Sequence, residues 1–508
     1  MIHNGTVILP INHFGHSPTP YTFANRFWVV DQYYKPGGPV FTFDTGEASD
    51  GFLYHGYLTS NASFFNQYLQ EFGAMGVLWE HRYYGKSSPY PINRNTTSEQ
   101  LRWLTTEQAL EDFAVFANKF KWKIGGGGAT YNNTVGGLVG KVVDLNPKRT
   151  PWVHVGGSYP GARAAMLRDR YPETVFAAYA SSAPVQASTN MTFYWDQIYR
   201  GLVNYGYENC TRNIKSALDY IDSQLTRPDT AVAIKHMFLG RTAEKNSNEA
   251  FSDLLFYPLT DWQSSGATPL IQEFCAVLEG SNDSVQEDSR ENSGKVLADR
   301  WAKWPGFVDL VNESNQDGWC EGYVQSNEVE PNCNVDEKFT GILGISWTWQ
   351  YCTEWGFLQA TNLGPHALGS KFNTLQHQQD LCYRQFPDGL SSAYLPSSPR
   401  DRETNLKFGG WNMRPSNVFW TGGEFDPWRT LSPLSNEDFS GKFRTTTKIP
   451  KCNVKKSITE PLFGYLLSNA EHAYDFNTLK ETPEAAVPQR LFAQALKEWL
   501  KCFSPQYV

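Results

Sequence analysis

Three residues far apart in the chain carry side chains that together could perform acyl transfer. Ser158 lies in Val155-Gly156-Gly157-Ser158-Tyr159-Pro160-Gly161, between an apolar run (PWVHV) and a helix-forming stretch that follows it. A serine with glycines on both sides, at a strand-to-helix junction, suits a sharp turn that lifts the hydroxyl out as a nucleophile. The glycine of a G-x-S-x-G pattern comes one position late here, with Pro160 in its place. Proline costs little there, because a first-turn N–H has no intrahelical partner. His472, in Asn469-Ala-Glu-His472-Ala-Tyr, is the expected base, and Asp426, in Glu424-Phe-Asp426-Pro-Trp428, the expected acid behind it. The imidazole would take the serine proton and return it to the leaving group, while the carboxylate fixes the tautomer. His81 and His154 are rival bases. His81 breaks the order nucleophile, acid, histidine, and His154 alternates with buried valines on the serine's own strand. Glu424 and Asp475 are rival acids, the latter too near His472 in sequence to orient it easily. No HExxH or other compact ligand pattern is present, so neither a metal nor an organic cofactor is expected.

These side chains need a scaffold. Apolar runs at PVFTF (39–43), GVLW (76–79), PWVHV (151–155), VFAAYA (175–180), NVFW (417–420) and FGYLL (463–467) predict buried strands. Thr105 to Phe120 predicts a helix, with a Thr cap and Ala109, Phe113, Phe116 and Phe120 on one face. Leu491, Phe492, Ala495, Leu496 and Trp499 predict another near the C-terminus. Strands alternating with helices imply a mostly parallel sheet, and the order Ser, Asp, His is that of α/β-hydrolases. From Ser188 to about residue 405 the strand pattern lapses into polar helical stretches, loops and cysteines. The expected organisation is therefore an α/β-hydrolase domain in two parts, 1–187 and 406–508, interrupted by a mainly helical, disulfide-containing cap, 188–405. Gly125 to Gly128 is expected to be a surface loop, since no helix-start lysine follows it.

Composition narrows the class. A chain of 508 residues exceeds what one core usually holds. Its aromatic fraction is 15%, which suits a large core and an aromatic-lined cleft. A net charge of −8 argues against a nucleic-acid partner, and no apolar run is long enough to span a membrane. The eight cysteines (210, 275, 320, 333, 352, 382, 452 and 502) form no CxxC pair and read as disulfides of open connectivity, although Cys452 and Cys502 could staple the C-terminal segment. Sequons stand at Asn4, Asn61, Asn95, Asn132, Asn190, Asn209, Asn282 and Asn312. Cysteines and sequons together favour a secretory route. The opening residues, MIHNGTVILPINHF, hold no signal-peptide core, so the numbering is expected to start after a removed leader or at a truncated start.

Further motifs run in order through the chain: Ile11-Asn-His-Phe14, Phe23-Ala-Asn-Arg-Phe-Trp28, Thr45-Gly-Glu47, Glu80-His-Arg-Tyr-Tyr-Gly85-Lys-Ser87, GGSYPG, and Gln350-Tyr-Cys-Thr-Glu354. With the segments around Asp426 and His472, they make the chain resemble the proline-specific serine peptidases. That family includes lysosomal Pro-Xaa carboxypeptidase, dipeptidyl peptidase II, thymus-specific serine protease and fungal acid prolyl endopeptidases. The resemblance implies cleavage of proline-containing peptides, an acidic working pH, a secreted or lysosome-like location, and Ser158, Asp426 and His472 as the triad. It further implies an oxyanion hole from the Tyr159 N–H and a second N–H of Glu47 or Gly46, and a proline pocket walled by Trp347, Trp349, Gln350 and Tyr351. The competing expectations are a carboxylester hydrolase with the same triad and a non-catalytic hydrolase-fold binder. Oligomeric state is left open, a homodimer included.

Overall fold

The structure, a computed structural model, describes residues 1–15, 21–48, 50–123, 130–131, 142–280, 293–315, 318–324, 331–476 and 483–505. The expected loop at Gly125 to Gly128 lies outside them. Eight strands carry the molecule: β1 (His3–Pro10), β2 (Thr22–Val30), β3 (Val40–Asp44), β4 (Met75–Trp79), β5 (Trp152–Gly157), β6 (Ala177–Ser181), β7 (Val418–Gly423) and β8 (Leu462–Leu467). They pair in the order β1-β2-β4-β3-β5-β6-β7-β8, with two-residue strands at the edges, Thr130–Tyr131 and Thr445–Thr446. β2 runs antiparallel to both neighbours and every other pairing among the eight is parallel. This is the α/β-hydrolase sheet.

The middle strands are buried along their whole length, which is why they read as unbroken apolar runs. One face packs on α2 (Thr106–Lys119) and α3 (Tyr159–Arg170), through Phe113 and Phe116 against Trp79 and Trp152. The other packs on α1 (Phe64–Phe72) and α6 (Ala486–Leu500), with Phe65, Leu69, Phe492 and Leu496 against Phe41, Val153 and Phe419. Thr105 caps α2 by accepting the Gln108 N–H, as its sequence implied. The β1–β2 hairpin was not foreseen. β1 is half-buried and alternates buried with accessible residues, so it offers no continuous apolar run.

Among the described residues between Ser188 and Phe408 the elements are helices, including α4 (Phe193–Asn204) and α5 (Ile342–Gln350), plus one short parallel pair, Ser188–Asn190 with Gly356–Leu358. All eight cysteines pair. Cys210–Cys275, Cys320–Cys333 and Cys352–Cys382 lie within this helical region, and Cys452–Cys502 fastens the end of α6 to the chain ahead of β8. The helical region rests on the loops that leave β7 and β8. Gln197 donates to the Glu424 carbonyl, the Trp262 indole to the Phe425 carbonyl, and the His472 N–H to the Gln263 carbonyl. Among the described residues no helix is long and apolar enough to cross a membrane.

Candidate active site

Ser158 sits where β5 ends and α3 begins, with φ 66° and ψ −136°. That conformation is costly for any residue with a Cβ and is held only by its surroundings. The glycines explain how. A Cβ on Gly156 would come 2.2 Å from the Pro160 carbonyl oxygen, and one on Gly161 2.6 Å from that of Ser181. The turn closes only because helix and strand backbones touch. The Ser158 N–H donates to the Ser181 carbonyl at 2.9 Å, tying the elbow to β6. The Tyr159 N–H belongs to the first turn of α3, where donors have no intrahelical acceptor.

Asp426 follows β7 and His472 follows β8, so the parallel sheet delivers both to the end where Ser158 emerges. His472 Nδ1 and Asp426 Oδ1 are 2.9 Å apart, and the same Oδ1 accepts the Trp428 N–H at 2.8 Å. Asp426 is fully buried. His472 Nε2 has no hydrogen-bond partner among the described residues. No hydrogen bond joins it to Ser158 among the described contacts, yet both residues line one cavity of about 310 Å³ with Glu47, Tyr54, Tyr57 and Phe476. Bonds of this kind are often long before substrate binds.

The His472 loop is stapled from below. The Asp475 carboxylate accepts hydrogen bonds from Ser181 (2.5 Å), Tyr179 (2.7 Å) and Thr421 (2.6 Å), and the Ala473 N–H donates to Ser182 at 2.8 Å. Asp475 thus grips β6 and β7 and does not touch the imidazole, a role its nearness in sequence to His472 concealed. The rival histidines are in the core. His154 packs edge-on to Phe113 and contacts Thr42. His81 meets the Arg82 carbonyl and the Tyr159 hydroxyl, and burial pushes it down to about 3.

The oxyanion candidates separate. The Gly46 N–H is engaged by Asp44 Oδ1 at 3.0 Å, so Gly46 is not a free donor. Asp44 itself is buried, but the Arg163 guanidinium at 2.7 Å and His154 hold its carboxyl at about 2. Glu47 faces the cavity. Burial pushes its carboxyl up to about 7, the neighbouring Asp44 charge adds to this, and its own backbone N–H opposes it. The residues expected to wall the proline pocket make other contacts. Trp349 packs on Phe386, and Gln350 is consumed by the Tyr84 and Tyr159 hydroxyls. Neither they nor Tyr351 lines the Ser158 cavity, and Trp347 stands behind it against Tyr159 and Phe357. The aromatic lining comes instead from Phe43, Tyr54, Tyr57, Tyr474 and Phe476. Tyr54 and Tyr57 sit in the short helices after β3, where no repeating pattern marked them. Of the sequons, Asn4, Asn61, Asn95, Asn190 and Asn209 are exposed, and Asn132 and Asn282 lie outside the described residues. Asn312 is half-buried, its carboxamide bonded at both ends to the Cys320 backbone.

A doubly packed α/β-hydrolase sheet, with a serine on its elbow turn facing the histidine cavity, defines a serine-hydrolase-type enzyme. The chain belongs to the serine carboxypeptidase S28 family, whose profile matches residues 10–137 and 141–442. That match includes Ser158 and Asp426 and stops short of His472. Three curated relatives align over nearly the whole chain. The probable extracellular serine carboxypeptidase of Arthroderma benhamiae is 27% identical over 98% of this chain and 68% of its own length. The thymus-specific serine protease of Mus musculus is 26% identical (94% and 84%), and the lysosomal Pro-X carboxypeptidase of Homo sapiens 26% identical (97% and 87%).

Proposed function

We propose that the protein is a serine peptidase that hydrolyses peptide bonds on the C-terminal side of proline, with Ser158, His472 and Asp426 as its triad. The single observation that supports this most is the His472–Asp426 hydrogen bond, made by a histidine that lines the same cavity as Ser158. Ser158 Oγ attacks the scissile carbonyl while Nε2 takes its proton; Asp426 keeps the other ring nitrogen protonated and stabilises the imidazolium. The Tyr159 N–H receives the developing oxyanion, with the Glu47 N–H, which also reaches its own carboxyl, as the expected second donor. The tetrahedral species expels the amine as His472 returns the proton, and water then cleaves the acyl-enzyme by the same route. A proline side chain is a compact apolar ring, suited to the aromatic lining described above. Relatives named for Pro-X carboxypeptidase activity favour the same substrate class.

Four disulfides, and relatives named as extracellular or lysosomal, support a secretory location. The division into 1–187, 188–405 and 406–508 belongs to the same proposal: the middle part forms a cap over the loops bearing Asp426 and His472. The test is mass spectrometry of products from peptides with internal, penultimate and N-terminal-side prolines, beside p-nitrophenyl esters, together with labelling by a serine-directed phosphonate. Cleavage after proline and an adduct on Ser158 are expected. Ester turnover without peptide cleavage would make the protein a carboxylester hydrolase, and no adduct on Ser158 would remove the triad.

A further inference from the structure

Away from the Ser158 cavity, a groove of about 830 Å³ opens between the start of α4, the helix Asp401–Phe408 and the loop that contains Phe439. Its lining gathers several aromatic rings. Phe193, Trp411 and Phe439 form a connected row, with ring centroids 4.8 Å and 5.9 Å apart. Phe439 is 51% exposed and Leu406, which also lines the groove, 78% exposed. Apolar surface of this kind gathered in a concave site calls for something to cover it. The polar groups between the rings include Asn412, which is exposed, and Arg402, whose guanidinium has no ion-pair partner among the described residues. Both suit hydroxyl and amide ligands.

Asn190 lines the same groove. It is exposed and heads the sequon Asn190-Met191-Thr192. Its Oδ1 accepts the Thr192 N–H at 3.1 Å, which leaves the Nδ2 group as the end available for modification. An N-linked glycan begins with N-acetylglucosamine. Such a sugar pairs an apolar C–H face, which stacks on aromatic rings, with hydroxyl and acetamido groups that hydrogen-bond at its edge. The occupant is therefore covalently tethered at the rim, and tethering raises its local concentration far above that of a free sugar.

We propose that Asn190 carries an N-glycan whose first sugars lie in this groove against Trp411 and Phe439, covering the exposed apolar surface. The donor is a lipid-linked oligosaccharide pyrophosphate of the secretory route. The bond between the sugar anomeric carbon and the pyrophosphate oxygen breaks, the carbon–Nδ2 bond forms, and one amide proton departs with the pyrophosphate. None of this depends on the peptidase chemistry. The Asn61 and Asn95 sequons are exposed too, but neither residue lines this groove, so they serve as internal references.

The full chain is secreted from a eukaryotic host, and glycopeptide mass spectrometry follows release of each glycan by a peptide N-glycosidase under native conditions. Asn190 is expected to be occupied and to lose its glycan at least about tenfold more slowly than Asn61 or Asn95. Phe439→Ala, at a half-exposed position, should bring that rate to within about twofold of theirs, as should Leu406→Ser, at a position too exposed to govern folding. An unmodified Asn190, native release at the reference rate, or slow release unchanged in both variants would each overturn the proposal.

Discussion

At the residue scale, Glu47 is the side chain whose charge state should matter most. Its carboxyl faces Asp44, Arg163, His472, Tyr54 and Tyr84, and burial places its pKa at about 7. Below that pH it is neutral, whereas above it a carboxylate would share the cavity with a developing oxyanion. Activity should therefore fall as pH rises through about 7. Glu47→Gln, neutral at every pH, should retain activity to higher pH than wild type; coincident pH profiles of kcat/KM would refute this. Stability follows the same sign. The native state holds this proton more tightly than the unfolded chain, so the favourable contribution is complete below the unfolded carboxyl's range near 4.5 and lost by about 7. For the proposed triad, Ser158→Ala should lower kcat by roughly 10⁶-fold and Asp426→Asn by roughly 10⁴-fold, with folding intact by circular dichroism.

At the scale of elements, two contacts hold the site in shape. Gly161→Ala would push a methyl group to within 2.6 Å of the Ser181 carbonyl, forcing α3 away from β6. A loss of about 1–3 kcal/mol in urea unfolding is expected, with activity falling further than stability because the elbow carries the proposed nucleophile. Asp475→Ala strands the hydroxyls of Tyr179, Ser181 and Thr421 in the core and releases the His472 loop. It should cost at least about 2 kcal/mol and lower kcat more than it raises KM; unchanged kcat in a destabilised variant would make Asp475 merely structural. Most of these elements were legible in the sequence. The central strands announced themselves because burial on both faces leaves no room for polar residues, and α2 because its cap and apolar stripe agree. The β1–β2 hairpin did not, since an edge strand needs only one buried face.

At the scale of the molecule, the proposed cap would set access to Ser158. Unstructured proline-containing peptides should be cleaved far faster than the same segments inside a native globular protein, a comparison readable by gel and mass spectrometry. Equal rates would contradict a cap. Cys452–Cys502 closes a separation of 50 residues and pins α6 against the sheet. The double Ser variant should lose about 2–4 kcal/mol of stability, seen as a lower Tm, with little change in kcat because no residue of the proposed triad moves.

Residue type and chain order alone singled out the proposed nucleophile, base and acid, because a glycine-flanked serine at a strand–helix junction and an Asp and His after late strands leave few alternatives. The sequence likewise determined the alternation that builds a parallel sheet, and that the cysteines would pair. Only the tertiary structure decided which partners they took, since pairing depends on helix packing many residues apart. It also decided the lining of the Ser158 cavity. Trp349 and Gln350 have the right chemistry for a wall but are drawn into neighbouring packing, whereas Tyr54, Tyr57 and Phe476 arrive from distant loops. The same holds for Gly46 and Glu47: adjacent in sequence, one spends its N–H on Asp44 while the other turns its carboxyl into the cavity, a distinction made by burial and direction, which a string of residues does not carry.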